Sequence, residues 1–255
     1  MHTKFHVCMI GGMGPLSTAE LFRRTVLYTK AEGDGGHVSL CVFNDPSIPD
    51  RSGYIVKRES NERTPSPLKA IKRHIRAAKR LHCRYFAVAC NTAHYFSEDF
   101  EKVKGIRFIN AVRDTVSYAA KAYPDRRLCV LATEGTVRAD IYRKNAPLCA
   151  KTVYPSENMR RKISSLIYAI KGGVPPERCD PEAIASGLSA EFDPESTVFI
   201  LGCTELSLVS EFFGDLTVVD STDVLAASMI SAAKKEFNTE RFPLNTEFFR
   251  QRYFL

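Results

Sequence analysis

Short apolar runs alternate along the chain with longer stretches in which apolar residues recur every three or four positions. Six runs read as strands: FHVCMI (5–10), VSLCVF (38–43), RYFAVA (84–89), RLCVLA (127–132), STVFIL (196–201) and LTVVD (216–220). Amphipathic segments lie between them and read as helices: STAELFRRTVLYTKA (17–31), LKAIKRHIRAAKRLH (68–82), ADIYRKNA (139–146), ENMRRKISSLIYAIKGG (157–173) and TDVLAASMISAAKKEF (222–237). Such alternation predicts βα units around a mostly parallel sheet. Ser66 before Pro67 marks a helix start, and Gly172-Gly173 marks a helix stop.

The pattern also repeats. VCMIGGMGPLSTAELFRR near the start is similar to LCVLATEGTVRADIYRK near residue 130. In both, a strand enters a glycine-containing turn, and the following helix carries an acidic residue, an aromatic and an arginine. FAVACNTAH (86–94) is similar to VFILGCTEL (198–206), each a strand followed at once by cysteine and polar residues. Any two βα units share some likeness by chance. Two pairs in the same order at similar offsets predict a duplicated α/β half. The expected fold is therefore α/β, with two pseudo-symmetric lobes, each a mostly parallel sheet flanked by helices. The first lobe is expected over 1–113 plus about 220–255, and the second over 114–219. The helix from about 222 to 237 should return to the first lobe. Ligands in open α/β sheets sit beyond the carboxyl ends of strands, so the active site is expected in the cleft between the lobes, with Cys90 and Cys203 on opposite walls.

Composition narrows the function classes. The chain has 255 residues and 44% hydrophobic content, which suits one large α/β domain or two lobes. No apolar run is long enough to span a bilayer, and the N-terminus lacks a secretory pattern, so the protein reads as cytosolic with no membrane partner. Eight cysteines in such a protein read as free thiols, with Cys8, Cys41 and Cys129 in the core. No CxxC pair occurs, so no structural zinc and no other metal is expected. The formal charge of +7 admits a nucleic-acid partner or a small anionic ligand. Much of it, however, lies on 68–82, where Leu68, Ile71, Ile75, Ala78 and Leu81 form the apolar face and the basic residues fall on the others. That is the pattern of a solvated helix, and no nucleic-acid partner is expected.

Two opposed thiols suggest a definite chemistry. A cysteine at a helix N-terminus feels the positive end of the dipole, which favours thiolate. One thiolate and one thiol on opposite faces of a carbon acid can remove a proton from one side and return one to the other, which inverts a stereocentre. No motif for pyridoxal phosphate is found, so the carbanion would need donors aimed at the substrate carboxylate. Asn91, Thr92, Thr133, Thr136, Thr204 and backbone N–H groups are candidates.

With these motifs assembled, the chain resembles the cofactor-independent aspartate/glutamate racemase superfamily, and its aspartate racemase branch in particular. The resemblance rests on GGMGP (11–15), PSIPDR (46–51), CNTAH (90–94), LATEGT (131–136), IKGG (170–173) and GCTEL (202–206), in the family's order and covering the chain to about residue 235. It implies that Cys90 and Cys203 are the catalytic acid/base pair and that no cofactor is used. It implies that Arg51 holds the substrate's side-chain carboxylate, a task suited to a bidentate guanidinium. Lys171 is implied as a second carboxylate-binding residue. Met13, Asn91, Thr92, Thr133 and Thr204 are expected to line the substrate site. Asp50 and Glu205 are implied as carboxylates that tune the thiols or meet the substrate ammonium. The substrate class is a dicarboxylic amino acid, most readily aspartate, and the family is commonly homodimeric.

Plainer readings exist for each residue. GGMGP could be a dinucleotide loop, but Ser17 stands at the third glycine of GxGxxG and Pro15 removes an N–H; Met13 could simply pack. His94, four residues after Cys90, could pair with it or ligate a metal; ordering the loop or capping the helix is the preferred role, because no other His/Cys cluster completes a site. Asp50 and Arg51 could form a turn salt bridge, Lys171 could serve a helix C-terminus, and Glu205 a helix N-terminus. Alternative functions are a glutamate or broader-specificity racemase, a maleate isomerase, a hydantoin racemase, or an amino-acid-binding sensor without catalysis. The aromatic tail 238–255 matches nothing in the family and suggests docking on the domain or a partner.

Overall fold

The computed structural model describes residues 5–236, and the aromatic tail noted above lies outside them. The chain runs β1 (Val7–Gly11), α1 (Pro15–Tyr28), β2 (Leu40–Asn44), α2 (Arg51–Glu59), α3 (Pro67–Arg80), β3 (Tyr85–Val88), α4 (Ser97–Glu101), β4 (Arg107–Ile109) and α5 (Ala111–Ala122). It continues through β5 (Arg127–Leu131), α6 (Glu134–Arg138), α7 (Ile141–Asn145), β6 (Lys151–Val153), α8 (Glu157–Lys171), α9 (Pro181–Glu191), β7 (Thr197–Leu201), β8 (Val218–Asp220) and α10 (Ser221–Glu236). Two four-stranded parallel sheets result, with orders β2-β1-β3-β4 and β6-β5-β7-β8. The second order is the first shifted by four strands, which is the topology a duplicated half produces. The α/β fold class expected from the alternating pattern is thus observed.

The six runs read as strands all contain strands. The pattern missed β4 and β6, three-residue strands at sheet edges with the segments RFI and KTV. Each hydrogen-bonds one neighbour only, so neither needs the continuous apolar run of a central strand. The helix expected over 139–146 is broken. Asp140 takes a left-handed conformation between α6 and α7, and Gly135, expected in a turn, lies inside α6. Ser66 and Pro67 do start α3, and Gly172 caps α8 with Gly173 beyond it at φ +90°, the position glycine fills without a Cβ penalty.

Two compact units divide the chain. The first comprises the described parts of Met1–Pro49, Pro65–Ala111 and Thr222–Leu255; the second comprises Asp50–Thr64 and Val112–Ser221. In the first, Val7, Met9, Tyr85 and Ala87 of the sheet pack with Leu21 and Tyr28 of α1 and with Leu225, Ala226, Met229, Ile230 and Ala233 of α10. Arg24 and Asp223 join α1 to α10 through a buried ion pair at 2.6 Å, and the Tyr28 hydroxyl donates to the same carboxylate. Helix α3 buries Pro67, Ile71, Ile75 and Ala78, whereas Leu81, expected on its apolar face, is exposed at the helix end.

In the second unit, Cys129, Leu131, Phe199 and Leu201 of the sheet pack with Met159, Ile163, Leu166, Ile167 and Ile170 of α8 and with Ile184 and Leu188 of α9. Segment Asp50–Thr64 belongs here although strand alternation gives no sign of it. The Ser52 hydroxyl of α2 donates to Thr133 Oγ1 at 2.9 Å, and Arg138 of α6 pairs with Glu59. All eight cysteines are free: Cys8 and Cys129 are core residues as expected, while Cys41 is half-buried on the edge strand β2. No described helix is long and apolar enough to cross a membrane.

Candidate active site

In each unit the predicted residues gather at the carboxyl ends of the two central strands. In the first unit, β1 ends at Gly11 and turns through Gly12, Met13 and Gly14 into α1. Gly12 has φ +86°, and a Cβ there would lie 2.3 Å from the backbone of Asp45, so only glycine fits. Thr18 fastens the turn by accepting from Gly12 N–H at 2.9 Å and donating to the Gly14 carbonyl at 2.8 Å. This internal closure uses the N–H that a phosphate-cradling loop would present, against the dinucleotide reading. Met13 is buried. Ser17, which the sequence marked only as a missing glycine, carries a buried hydroxyl with no hydrogen-bond partner among the described residues.

Strand β3 ends just before Cys90, which is 6% exposed, and Asn91, Thr92 and His94 follow, all buried. The sequence placed Cys90 at a helix N-terminus. The structure places it at the N-cap of a six-residue 3₁₀ helix, Asn91–Phe96, where a long helix dipole is absent and only local N–H groups act. His94 is an ordering residue. Ala111 N–H donates to its Nε2 at 3.1 Å, so Nδ1 carries the proton and donates to the Cys90 carbonyl at 3.0 Å. Both ring nitrogens are engaged with backbone, which suits neither a Cys–His nucleophile nor a metal ligand.

In the second unit β7 ends before Gly202, and a Cβ on Gly202 would press on Tyr142 and Val130 at 3.0 Å. Cys203 follows, 5% exposed, and again precedes a 3₁₀ helix, Leu206–Phe213, rather than an α-helix. Its thiol donates to Glu205 Oε2 at 2.9 Å, and Lys171 Nζ stands 3.4 Å from Glu205 Oε1. Thr204 also donates to Glu205, at 3.4 Å. Glu205, read from sequence as a tuning carboxylate or a helix charge, is therefore the hub joining Cys203 to Lys171. An accepting carboxylate holds the proton on sulfur and opposes a second negative charge beside it.

Asp50 caps α2, accepting from Ser52 and Gly53 N–H, and Arg51 is the first helical residue, 8% exposed. Thr133 caps α6 and shares a hydroxyl chain with Ser52 and Thr136. Tyr168, one helical turn before Lys171, was missed by sequence reading. Burial pushes its phenol up, the charge of Asp50 adds to this, and Ser52, Lys171 and Cys203 also act on it. Its signal was the three-residue spacing from Lys171, which puts both on one face of α8. Tyr142 was missed as well; burial raises its phenol, and Ser221 and Cys203 are among its neighbours. Among the described residues no group of three or more His, Cys, Asp or Glu could hold a metal ion.

The sequence profile of the Asp/Glu/Hydantoin racemase family matches residues 10–229. A broad specificity amino-acid racemase of Bacillus subtilis is 23% identical over 228 residues, 88% of this chain and 96% of that protein. Aspartate racemase of Picrophilus torridus superposes with a TM-score of 0.79 at 28% identity, covering 98% of this chain and all of the other. An aspartate racemase homologue from Pyrococcus horikoshii shares the fold with a TM-score of 0.66 at 20% identity, over 90% of this chain and 99% of that one.

Proposed function

Because the chain belongs to the Asp/Glu/Hydantoin racemase family and is an amino-acid racemase, an isomerase, we propose that it interconverts the enantiomers of aspartate without a cofactor, using Cys90 and Cys203 as acid and base. The observation that carries this reading is the Cys203–Glu205–Lys171 chain, with its thiol donating at 2.9 Å. It supplies a sulfur that holds a proton in the resting state. In one direction Cys90 removes the α-proton and Cys203 delivers its own to the opposite face. In the other direction the roles exchange: Cys203, left as a thiolate by the forward reaction, removes the α-proton, and Cys90 returns the proton it took.

Arg51 grips the side-chain carboxylate. Lys171 offers three N–H donors; one direction faces Glu205, and the ammonium also attracts the substrate's α-carboxylate, where charge develops as the proton leaves. Asn91, Thr92, Thr133 and Thr204 supply further donors, Met13 packs against the substrate, and Asp50 holds α2 and so Arg51. The enzyme works as a homodimer in the reducing cytoplasm, a location supported by eight free thiols.

The test is deuterium exchange at the α-carbon of L- and D-aspartate in heavy water, followed by NMR. Exchange with both enantiomers is expected. Cys90→Ala and Cys203→Ala should each abolish two-way racemisation while leaving one-sided exchange of one enantiomer. Full activity in either variant removes that cysteine from the mechanism. The likeness to a broad specificity racemase favours a second reading with several substrates. A panel of glutamate and neutral amino acids separates the two, since a substrate lacking a second carboxylate gives Arg51 nothing to grip.

A further inference from the structure

The loop that carries Cys203 is tied down on both sides by one corner of the second unit. Before the thiol, the Ser221 hydroxyl donates to the carbonyl of Leu201, the last residue of β7, at 2.7 Å. Gly202 N–H donates to the Leu131 carbonyl of β5 at 2.8 Å. After the thiol, the Ser207 hydroxyl donates to Asp220 Oδ1 at 2.6 Å. Asp220 ends β8 and is the register partner of Leu201. Ser207, Asp220 and Ser221 are all buried.

Glu205 stands between the two ties. It is the N-cap of the 3₁₀ helix Leu206–Phe213, and Leu208 N–H donates to its carbonyl at 3.1 Å. The first turn of that helix, with Ser207 in it, therefore sets where the Glu205 carboxylate stands. The turn is poorly self-supporting: 3₁₀ hydrogen bonds have strained geometry, and Val209, at φ −123° and ψ 18°, interrupts the helix at once. The sheet does not need the Ser207 bond, because the backbone ladder already joins β7 to β8. The first unit holds its own thiol loop from the same corner by other means. There Ala111, just past the fourth strand, donates its backbone N–H to His94. An anchor at the same point in both halves, built from different groups, marks the thiol loop as what is being held.

We propose that Asp220 is a positioning residue for proton transfer at Cys203: through Ser207 it fixes the first turn of the 3₁₀ helix and so holds Glu205 on the thiol. This inference rests on the proposed role of Cys203 as acid and base. A hydroxyl bond to a buried carboxylate is short and about twice as strong as a neutral one, which suits an anchor for a turn that must not drift.

The test compares Asp220→Ala, Ser207→Ala and Asp220→Asn in the full chain, with folding checked by urea unfolding. Iodoacetamide alkylation at neutral pH is followed at each cysteine by peptide mass spectrometry. Cutting the tie frees Glu205 from the sulfur, so in Asp220→Ala and Ser207→Ala Cys203 should react at least about threefold faster, with Cys90 within about twofold. Asp220→Asn keeps an acceptor for Ser207 and should leave both thiols within about twofold of the unaltered chain. A general loosening of the fold would add its acceleration on any background. On a Glu205→Gln background the two cutting substitutions should instead add nothing, because the charge they displace is already gone. In aspartate exchange each should lower kcat about tenfold with KM within about twofold, and Asp220→Asn should retain most of kcat. Ser207→Ala carries the test should Asp220→Ala not fold. Unchanged Cys203 reactivity in a folded cutting variant, equal acceleration with and without Glu205→Gln, or an Asp220→Asn protein as altered as Asp220→Ala overturns the proposal. Should the unaltered chain exchange neither enantiomer of aspartate, the catalytic reading of Cys203 falls, while the alkylation results still decide whether Asp220 holds Glu205 on the sulfur.

Discussion

Gly135→Ala tests whether the packing of α6 on α2 sets the position of Arg51. A Cβ at residue 135 would stand 2.6 Å from Ser52 Cα, 2.8 Å from its Oγ and 2.9 Å from its Cβ. Carbon atoms rest at roughly 3.5–4.0 Å, and the nearest atom is backbone, so a rotamer change cannot relieve the clash. Helix α2 must withdraw by about 1 Å, and Arg51, adjacent to Ser52, withdraws with it. Ser52 Oγ also leaves Thr133 Oγ1, now at 2.9 Å, a loss of about 1 kcal/mol. Overpacking adds about 1–3 kcal/mol, and alanine's better helix propensity returns about 1 kcal/mol. The net destabilisation is about 1–3 kcal/mol, small enough for a folded protein.

The functional effect should be larger than the effect on stability. A bidentate grip loses its geometry over such a displacement, so KM for aspartate should rise about tenfold or more. The assay is α-proton exchange against aspartate concentration, alongside urea unfolding of the same preparation. Ser52→Ala is the control, since it deletes the hydrogen bond without pushing α2; its KM should change by no more than about twofold. A folded Gly135→Ala protein with unchanged KM would refute the reasoning, because either α2 does not move or Arg51 does not bind the substrate.

Other perturbations address separate links. Glu205→Gln removes the charge that opposes a thiolate at Cys203, so iodoacetamide should alkylate Cys203 faster at neutral pH while racemisation falls by about ten- to a hundredfold; slower alkylation would instead make Glu205 the group that activates the sulfur. Arg24→Met strands the buried carboxylate of Asp223 and should cost about 3–5 kcal/mol in urea unfolding, with Asp223→Leu added to it restoring most of the loss. Hydrogen bonds from Ser47, then from His74, hold the Asp45 carboxyl down at about 2 from 3.8. A depressed carboxylate contributes stability above its unfolded value and loses it as pH falls, here between just under 4 and about 2. Asp45→Asn should therefore flatten that part of the stability–pH curve, and an unchanged curve would remove Asp45 from acid unfolding.

What was legible in the sequence, and what was not, follows from how far each signal reaches along the chain. Central strands announce themselves because both faces are buried: β3, and β7 after its first residue Thr197, are continuous apolar runs, and every residue of both strands is buried. The edge strands β4 and β6 need only a few residues and one partner, and their composition does not separate them from loops. Cys90 and Cys203 were visible because duplication set them at equivalent points, after the third strand of each sheet in chain order. The groups that modulate Cys203 were less visible. Glu205 is two residues away, but its tie to Lys171 crosses from a strand end to a helix end, and Tyr168 gains its neighbours only once α8 has packed. The loss of pseudo-symmetry is more informative than its presence. His94 and Glu205 both serve the loop of their own cysteine, yet one engages backbone through both nitrogens while the other accepts from the thiol itself. Two sulfurs at equivalent positions thus meet different local chemistry, which is the asymmetry that the proposed reaction, with one proton donor and one proton acceptor, would use. Under the proposed mechanism, the residues that break the repeat around each thiol, rather than those that keep it, are where the direction of proton transfer would be set.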